Sequence, residues 1–560
     1  MESPTPIYPE VMAFSRMMIV TSQLSSIARP TWIKGRPVPI DDGGPTSQPY
    51  DTHAASGFAT VGGVEVIETT ARRFPDKVAV DDGVSQLTYA QFIDRVYGLA
   101  QRLHSTTTPG TTVCSVVPNT VVAPIIVMAC AMTGRLLVPI DASHPLDRQA
   151  AIFAESGAQA VLLAQGEVID ESFLPAGLPR VVVDARVETR AVRPTYPYDP
   201  SQPLFVSFTS GSTGRPKGVV SGGRYGAAAI GQFIDMFHLG VNDVILGLAS
   251  LSTGGARDAF AALGAGASIR ILDIRVAGVM EALKVLDRDK ITVLSFIPSA
   301  LRMILGIEGA AQAFRHLRVL DLHGERILAS DIELFRRTLP STCHISITMG
   351  SVEAGAVFSW FVRDDRIDGS LVPVGYIMPG RSVALLGDDG LPVADGEVGE
   401  LFVRGAMAMG AWRSGARVQG PFLPDPQDPE SSIYPMGDLM RRRADGLFEY
   451  VDRKDRRVKI RGLWADLGEI EAAIRSMDSV SEVAVIAAAE PSAAERVCAF
   501  IVMEAGAAPP SPGAVRRAVA EQTAEHMMPE DVVMLESIPR LANFKPDMVG
   551  LKALAAAHRE

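Results

Sequence analysis

From about residue 61 onward the sequence alternates short apolar runs with longer amphipathic segments, and this rhythm constrains the fold more than any single residue. Neighbouring parallel strands need a crossover between them, and a helix is the usual one. Residues 112–117 read as a strand, 121–132 as a helix, 136–140 as a strand, 147–156 as a helix and 160–163 as a strand. The runs 245–249, 268–272 and 293–296 continue the pattern. The expected class is α/β, with parallel sheets in layers. A chain of 560 residues that is 47% hydrophobic has enough apolar matter for at least two cores. No short repeat interrupts the pattern.

Composition excludes several functions. A net charge of −11 with mixed signs is not a nucleic-acid footprint. Cys114, Cys130, Cys343 and Cys498 are far apart, so neither a disulfide framework nor a zinc site is expected. The apolar stretch 120–132 is shorter than a bilayer and contains Pro124, so it reads as a core helix rather than a span. Glu2, Pro4, Pro6 and Pro9 are unlike a secretory signal, and the expected location is cytoplasmic, away from membranes. Residues 1–60, rich in Pro, Gly, Ser and Asp, read as an N-terminal extension lying partly on the main domain.

Residues 207–218 concentrate the chemistry. They run Ser-Phe-Thr-Ser-Gly-Ser-Thr-Gly-Arg-Pro-Lys-Gly, directly after the apolar Leu204-Phe205-Val206. Gly211 and Gly214 let backbone N–H groups converge on an anion, and Thr209, Ser210, Ser212 and Thr213 add donors. Lys217 adds positive charge. A Walker A loop requires Gly-Lys-Ser/Thr, whereas Lys217 stands between Pro216 and Gly218. The loop is built for a polyphosphate by another design.

This loop closely resembles the phosphate loop of the adenylate-forming superfamily: acyl-CoA synthetases, nonribosomal peptide synthetase adenylation domains and luciferases. Other motifs follow in the family's order. They are Leu87-Thr88-Tyr89, the segment from Gly134 to Pro145, Gly399-Glu400-Leu401 and Tyr434-Pro435-Met436-Gly437-Asp438. Residues 453–462, Leu467-Gly468-Glu469-Ile470-Glu471 and residues 539–547 complete the set. The resemblance implies a large N-terminal domain of layered α/β subdomains over 61–454 and a small, mobile α+β C-terminal domain over 455–560. It implies an ATP- and Mg²⁺-dependent ligase that joins a carboxylate to AMP. Lys545 matches the lysine that bridges carboxylate and phosphate, with Lys217 as a second catalytic cation. Asp438 matches the ribose-binding carboxylate, Arg453 its partner and Asp455 the hinge. Thr209 to Gly214, Gly324, Met349, Gly350 and Ser351 match nucleotide contacts, and Glu353 matches the acid associated with Mg²⁺. The charge run 452–457, which alone would read as a solvated surface, falls within these motifs.

The departures narrow the function. Where the family has Tyr-Gly-x-Thr-Glu, this chain has Met349-Gly350-Ser351-Val352-Glu353. Met349 still offers a polarizable contact to adenine, but Val352 cannot donate a hydrogen bond to the α-phosphate, and Ser351 is the nearest replacement. The Asp that pairs with an α-amine in amino-acid-activating domains is replaced around Leu251-Ser252-Thr253-Gly254-Gly255, with Thr253 or a neighbour in its place. A neutral hydroxyl is a poor partner for a desolvated ammonium, and Asp258 is offset by several residues. The remaining pocket positions are Gly254, Arg257, Ser295, Asp321, His323 and Thr348, too polar for a fatty-acyl tunnel. Arg257 either faces an anionic group of the substrate or pairs with Asp258 or Asp321, and His323 is either an interior histidine or a contact.

The expected function is a stand-alone ligase that activates a small acid other than an ordinary α-amino acid, in specialised metabolism. The chain ends 15 residues beyond Lys545, so the expected acceptor is separate. It is either coenzyme A or the phosphopantetheine of a carrier protein. The alternatives are an acyl- or aryl-CoA ligase and a non-catalytic, nucleotide-binding partner protein.

Overall fold

The strands and helices lie close to the ranges that the apolar periodicity predicts. Thr112–Val117, Leu136–Asp141 and Ala160–Ala164 are strands, and the helices Val122–Thr133 and Leu146–Ser156 connect them. The computed structural model describes residues 32–36, 44–45, 63–167, 169–186, 193, 199, 201–210, 216–252, 254–362, 367, 369, 371–460, 463–489, 495–504, 506–523, 527–540 and 546–558. Helix Tyr89–Thr106 starts at a capping box: Thr88 Oγ1 accepts from Gln91 N, and the Gln91 side chain accepts from Thr88 N. Helix Val122–Thr133 is apolar on nearly every side and is buried accordingly. Pro124 sits in its first turn, where a missing N–H costs no intrahelical bond, so the proline does not break it.

The chain divides into two compact units, one drawn from 1–383 and 403–435, the other from 384–402 and 436–560. Among the described residues the first unit holds a nine-stranded and an eight-stranded sheet. Six parallel strands form the centre of the larger sheet. In spatial order they are His344–Ser351, Val319–His323, Val293–Phe296, Val244–Gly247, Ser268–Ile271 and Val78–Asp81. The smaller sheet has a parallel core and, at one edge, the antiparallel strands Pro216–Gly222, Gly410–Arg413 and Ala416–Val418. One apolar core joins both sheets to the helices between them, with Tyr89, Phe92, Phe237 and Ile67 fully enclosed. Of the first 60 residues, the described strand Ile33–Lys34 pairs antiparallel with Ser382 and Val383.

The second unit is α+β. Strands Val480–Ala489, Glu495–Met503 and Asp531–Met534 form a sheet with an apolar cluster on each face. Among its described side chains the charge run is mixed, with Lys454 exposed and Arg453 and Arg456 half-buried. Asp452 is buried, and Arg456 reaches Glu471 at 2.7 Å and Asp452 at 3.7 Å. Burial opposes the charge of Arg456, but the two carboxylates outweigh it and hold its pKa above the arginine range.

Candidate active site

The segment expected to bind polyphosphate includes parts of two strands of a β-hairpin. Strands Pro203–Ser210 and Pro216–Gly222 pair antiparallel, with Thr209 opposite Lys217 and Ser210 opposite Pro216. Lys217 is exposed, and Thr209 Oγ1 donates to its carbonyl at 3.4 Å. Gly211, Ser212, Thr213 and Gly214 lie outside the described residues. Gly218 permits the close packing of the outer arm, since a Cβ there would stand 2.7 Å from Trp412 Cβ. A P-loop leads from strand into helix. Here the chain first returns along the sheet, and helix Gly223–Phe237 begins only after the second arm.

Four of the expected pocket positions, Ser295, Asp321, His323 and Thr348, lie on three adjacent parallel strands. The register sets Ser295 beside Asp321, Asp321 beside Ser346, and His323 beside Thr348. Asp321 is fully buried; Ser295 Oγ donates to one of its oxygens at 3.2 Å and Thr348 Oγ1 to the other at 2.7 Å. Gly254, at φ +148°, starts helix Gly255–Ala265, which carries Arg257. Thr253 lies outside the described residues. Arg257 makes two hydrogen bonds to buried Asp258, at 2.8 and 3.0 Å, and its guanidinium lies 4.4 Å from the Phe233 ring centre. Burial opposes its charge, but Asp258 and Asp321 raise its pKa above the ordinary arginine value. His323 is half-buried, and Gly324 follows it at φ +90°.

Residues 352–354 form a tight turn between strands His344–Ser351 and Gly355–Phe361, whose pairing shifts register between Met349 and Gly350. A Cβ on Gly350 would fall 2.0 Å from the Gly355 carbonyl oxygen, so no larger residue fits. Ser351 Oγ accepts from Ala354 N at 3.1 Å, and the Glu353 carbonyl accepts from Ala408 N at 2.9 Å. Met349, Ser351 and Glu353 are all half-buried. Among the described residues no three His, Cys, Asp or Glu side chains cluster to hold a metal. A single carboxylate nevertheless fits Mg²⁺ that arrives on a nucleotide, because this ion takes one or two carboxylates besides phosphate and water.

The second unit carries the other expected residues. Asp438 and Arg453 face each other across antiparallel strands Ser432–Arg442 and Phe448–Arg453. Arg453 Nη1 lies 3.3 Å from the buried Asp438 carboxylate and donates to the Met436 carbonyl at 2.9 Å. Asp455 occupies the short 3₁₀ turn Lys454–Arg456. Its neighbours are both tied: Lys454 pairs with Glu400, and Arg456 with Glu471. Lys545 lies outside the described residues, while Arg540 and Pro546 on either side of it form an antiparallel bridge.

Two residues at the turn gave no sequence signal. Tyr225 and Arg381 both anchor it from distant segments, and neither belongs to a recognisable motif.

The model for AMP-binding enzymes matches residues 67–412, and the model for their C-terminal domain matches residues 469–545. Phenyloxazoline synthase MbtB of a Mycobacterium species (strain MCS) is 28% identical over 491 residues, covering 85% of this chain and 40% of that protein. Phosphinothricin tripeptide synthetase PhsC of Streptomyces viridochromogenes is 30% identical over 502 residues, covering 87% of this chain and 44% of that protein. The chain thus spans less than half the length of either relative. The solved structure of Klebsiella oxytoca NpsA in complex with 3-hydroxyanthranilyl-AMSN superposes with a TM-score of 0.74 at 21% identity, covering 88% of this chain and 99% of that one. Among the described residues no helix is long and apolar enough to cross a membrane.

Proposed function

The chain belongs to the AMP-binding enzyme family, and from that premise we propose that it activates a small acid other than an ordinary α-amino acid. An oxygen of the acid's carboxylate bonds to the α-phosphorus of ATP. The bond from that phosphorus to the α–β bridging oxygen breaks, and pyrophosphate leaves with the electron pair, so that acyl-AMP remains. Charge builds on the phosphoryl oxygens as this happens, and fixed donors and cations lower its cost. In this reading the hairpin donors and Lys217 hold the phosphates, Asp438 and Arg453 hold the ribose, and Lys545 supplies the mobile positive charge. Glu353 would help hold Mg²⁺, which when bound would neutralise part of the phosphate charge.

The observation that carries the substrate reading is the pairing of Asp258 with Arg257 at 2.8 Å. With Thr253 or a neighbour in place of the family's amine-binding Asp, Asp258 is the nearest substitute in sequence, and its charge is already neutralised. An α-ammonium entering there would lose water without gaining a carboxylate. The thiol sulfur of coenzyme A or of a carrier protein's phosphopantetheine then bonds to the acyl carbon, the bond from that carbon to the phosphate oxygen breaks, and AMP leaves with the electron pair while the thiol proton passes to water. Val352 favours a second reading, a nucleotide-binding protein without turnover.

Pyrophosphate release from ATP, measured across amino acids, aryl acids, dicarboxylates and inorganic oxyanions without a thiol, decides between them. A response to one non-amino acid supports the proposal. A response to an ordinary α-amino acid refutes the substrate reading. ATP binding with silence across the panel supports the second reading.

A further inference from the structure

The family resemblance leads one to expect a threonine hydroxyl at position 352 for the α-phosphate, and valine has no proton to give. The surroundings of Val352 show what takes its place. Tyr225, buried in the first turn of helix Gly223–Phe237, donates its hydroxyl to the Val352 carbonyl at 2.7 Å. That helix follows directly on the arm bearing Lys217, so one hydrogen bond ties the polyphosphate hairpin to the turn at 352–354. The other side of the turn is pinned by buried Arg381, which donates to the carbonyls of Ala356, at 3.3 Å, and Ala406. Gly355, at φ +68°, leaves room for both: a Cβ would stand 3.4 Å from the Tyr225 hydroxyl and 3.2 Å from Arg381 Nη2. Burial pushes the Tyr225 pKa up to about 12, so its proton stays in place at neutral pH.

The geometry of a peptide bond gives this contact a consequence. In a planar trans peptide the C=O and the N–H point in opposite directions. Holding the Val352 carbonyl toward Tyr225 therefore aims the Glu353 N–H away from it. We propose that Tyr225 is a positioning residue that orients the Val352–Glu353 peptide so that the Glu353 N–H gives the nucleotide phosphate the hydrogen bond missing at position 352. The proposal rests on the adenylation reading above.

Four proteins test it: wild type, Tyr225→Phe, Val352→Thr and the double variant. Each is assayed for pyrophosphate release and for ATP binding by calorimetry, after its melting temperature has been checked. Phenylalanine keeps the ring packing and removes only the hydroxyl. Tyr225→Phe should lower kcat/KM for ATP about 10- to 100-fold, less than the roughly 100- to 1,000-fold that outright loss of an aimed donor costs, because the N–H remains and only its aim is loosened. KM for the acid should stay within about twofold. Adding Val352→Thr should restore most of the loss, because the hydroxyl returns on the side chain. A merely structural tyrosine would not be rescued in this way. Tyr225→Phe with wild-type ATP kinetics and ATP binding overturns the proposal. So does a folded double variant no better than the single one. A wild type that binds ATP without releasing pyrophosphate refutes the adenylation reading instead. The binding arm then decides for Tyr225, by weakened ATP affinity that Val352→Thr restores or by affinity that does not change.

Discussion

Replacing Arg257 with Met separates two roles for this arginine, holding the pocket together and meeting the substrate. In the structure its guanidinium lies 2.8 Å from Asp258, whose side chain is 5% exposed while that of Arg257 is 30% exposed. Removing one member of a fully buried pair costs about 3–5 kcal/mol, because the other charge is stranded. Water reaching the arginine reduces that figure, and about 2 kcal/mol is expected for Arg257→Met. The double variant Arg257→Met, Asp258→Asn strands no charge and should recover about 1 kcal/mol or more of the loss. Urea unfolding followed by fluorescence, with hydrogen exchange over 255–265 to localise the change, measures both steps. If the single variant is as stable as wild type, or the double variant no better than the single, the pairing does not hold the pocket. In that case Arg257 is free for an anionic group, and Arg257→Met should instead raise KM for a dicarboxylate.

Lys545→Ala should reduce pyrophosphate release by about 100-fold or more while sparing ATP binding, since it removes a charge needed in the transition state. Wild-type adenylation in that variant would end the assignment of Lys545. Asp455→Pro fixes one backbone angle in the turn between two tied neighbours, so adenylate formation and thioester formation should fall unequally. Equal losses would argue against rotation at this residue. Lys77 donates to Ser268 Oγ at 3.0 Å, and burial lowers its pKa from 10.5 to about 8, against a smaller opposing effect of Asp243. Between these two values the unfolded chain holds a proton that the folded chain has lost, so this group makes stability rise with pH there. Below the folded value its contribution is flat. Urea midpoints at pH 7, 8 and 9 should rise less steeply for Lys77→Met, and an unchanged slope would contradict that account.

The sequence by itself determined the α/β class and the position of most crossover helices, and it marked the hairpin as the place to look for a phosphate site. Each depends on local information: apolar periodicity at residues 112–163, and glycines, hydroxyls and a lysine packed into residues 207–218. The order of motifs also placed Asp438 and Arg453 in one argument, and strand pairing sets them side by side. Only the tertiary structure decided how charges are spent. Asp258 could serve a substrate or a neighbour, and the first turn of its helix settles it on Arg257. The run 452–457 reads as surface until Glu471, from a later helix, comes beneath Arg456. Tyr225 precedes Val352 by 127 residues, and no spacing rule joins a tyrosine on a helix to a carbonyl in a turn. Local propensity acts over a few residues, whereas a buried charge or hydroxyl takes its role from whichever partner packing brings within about 3 Å.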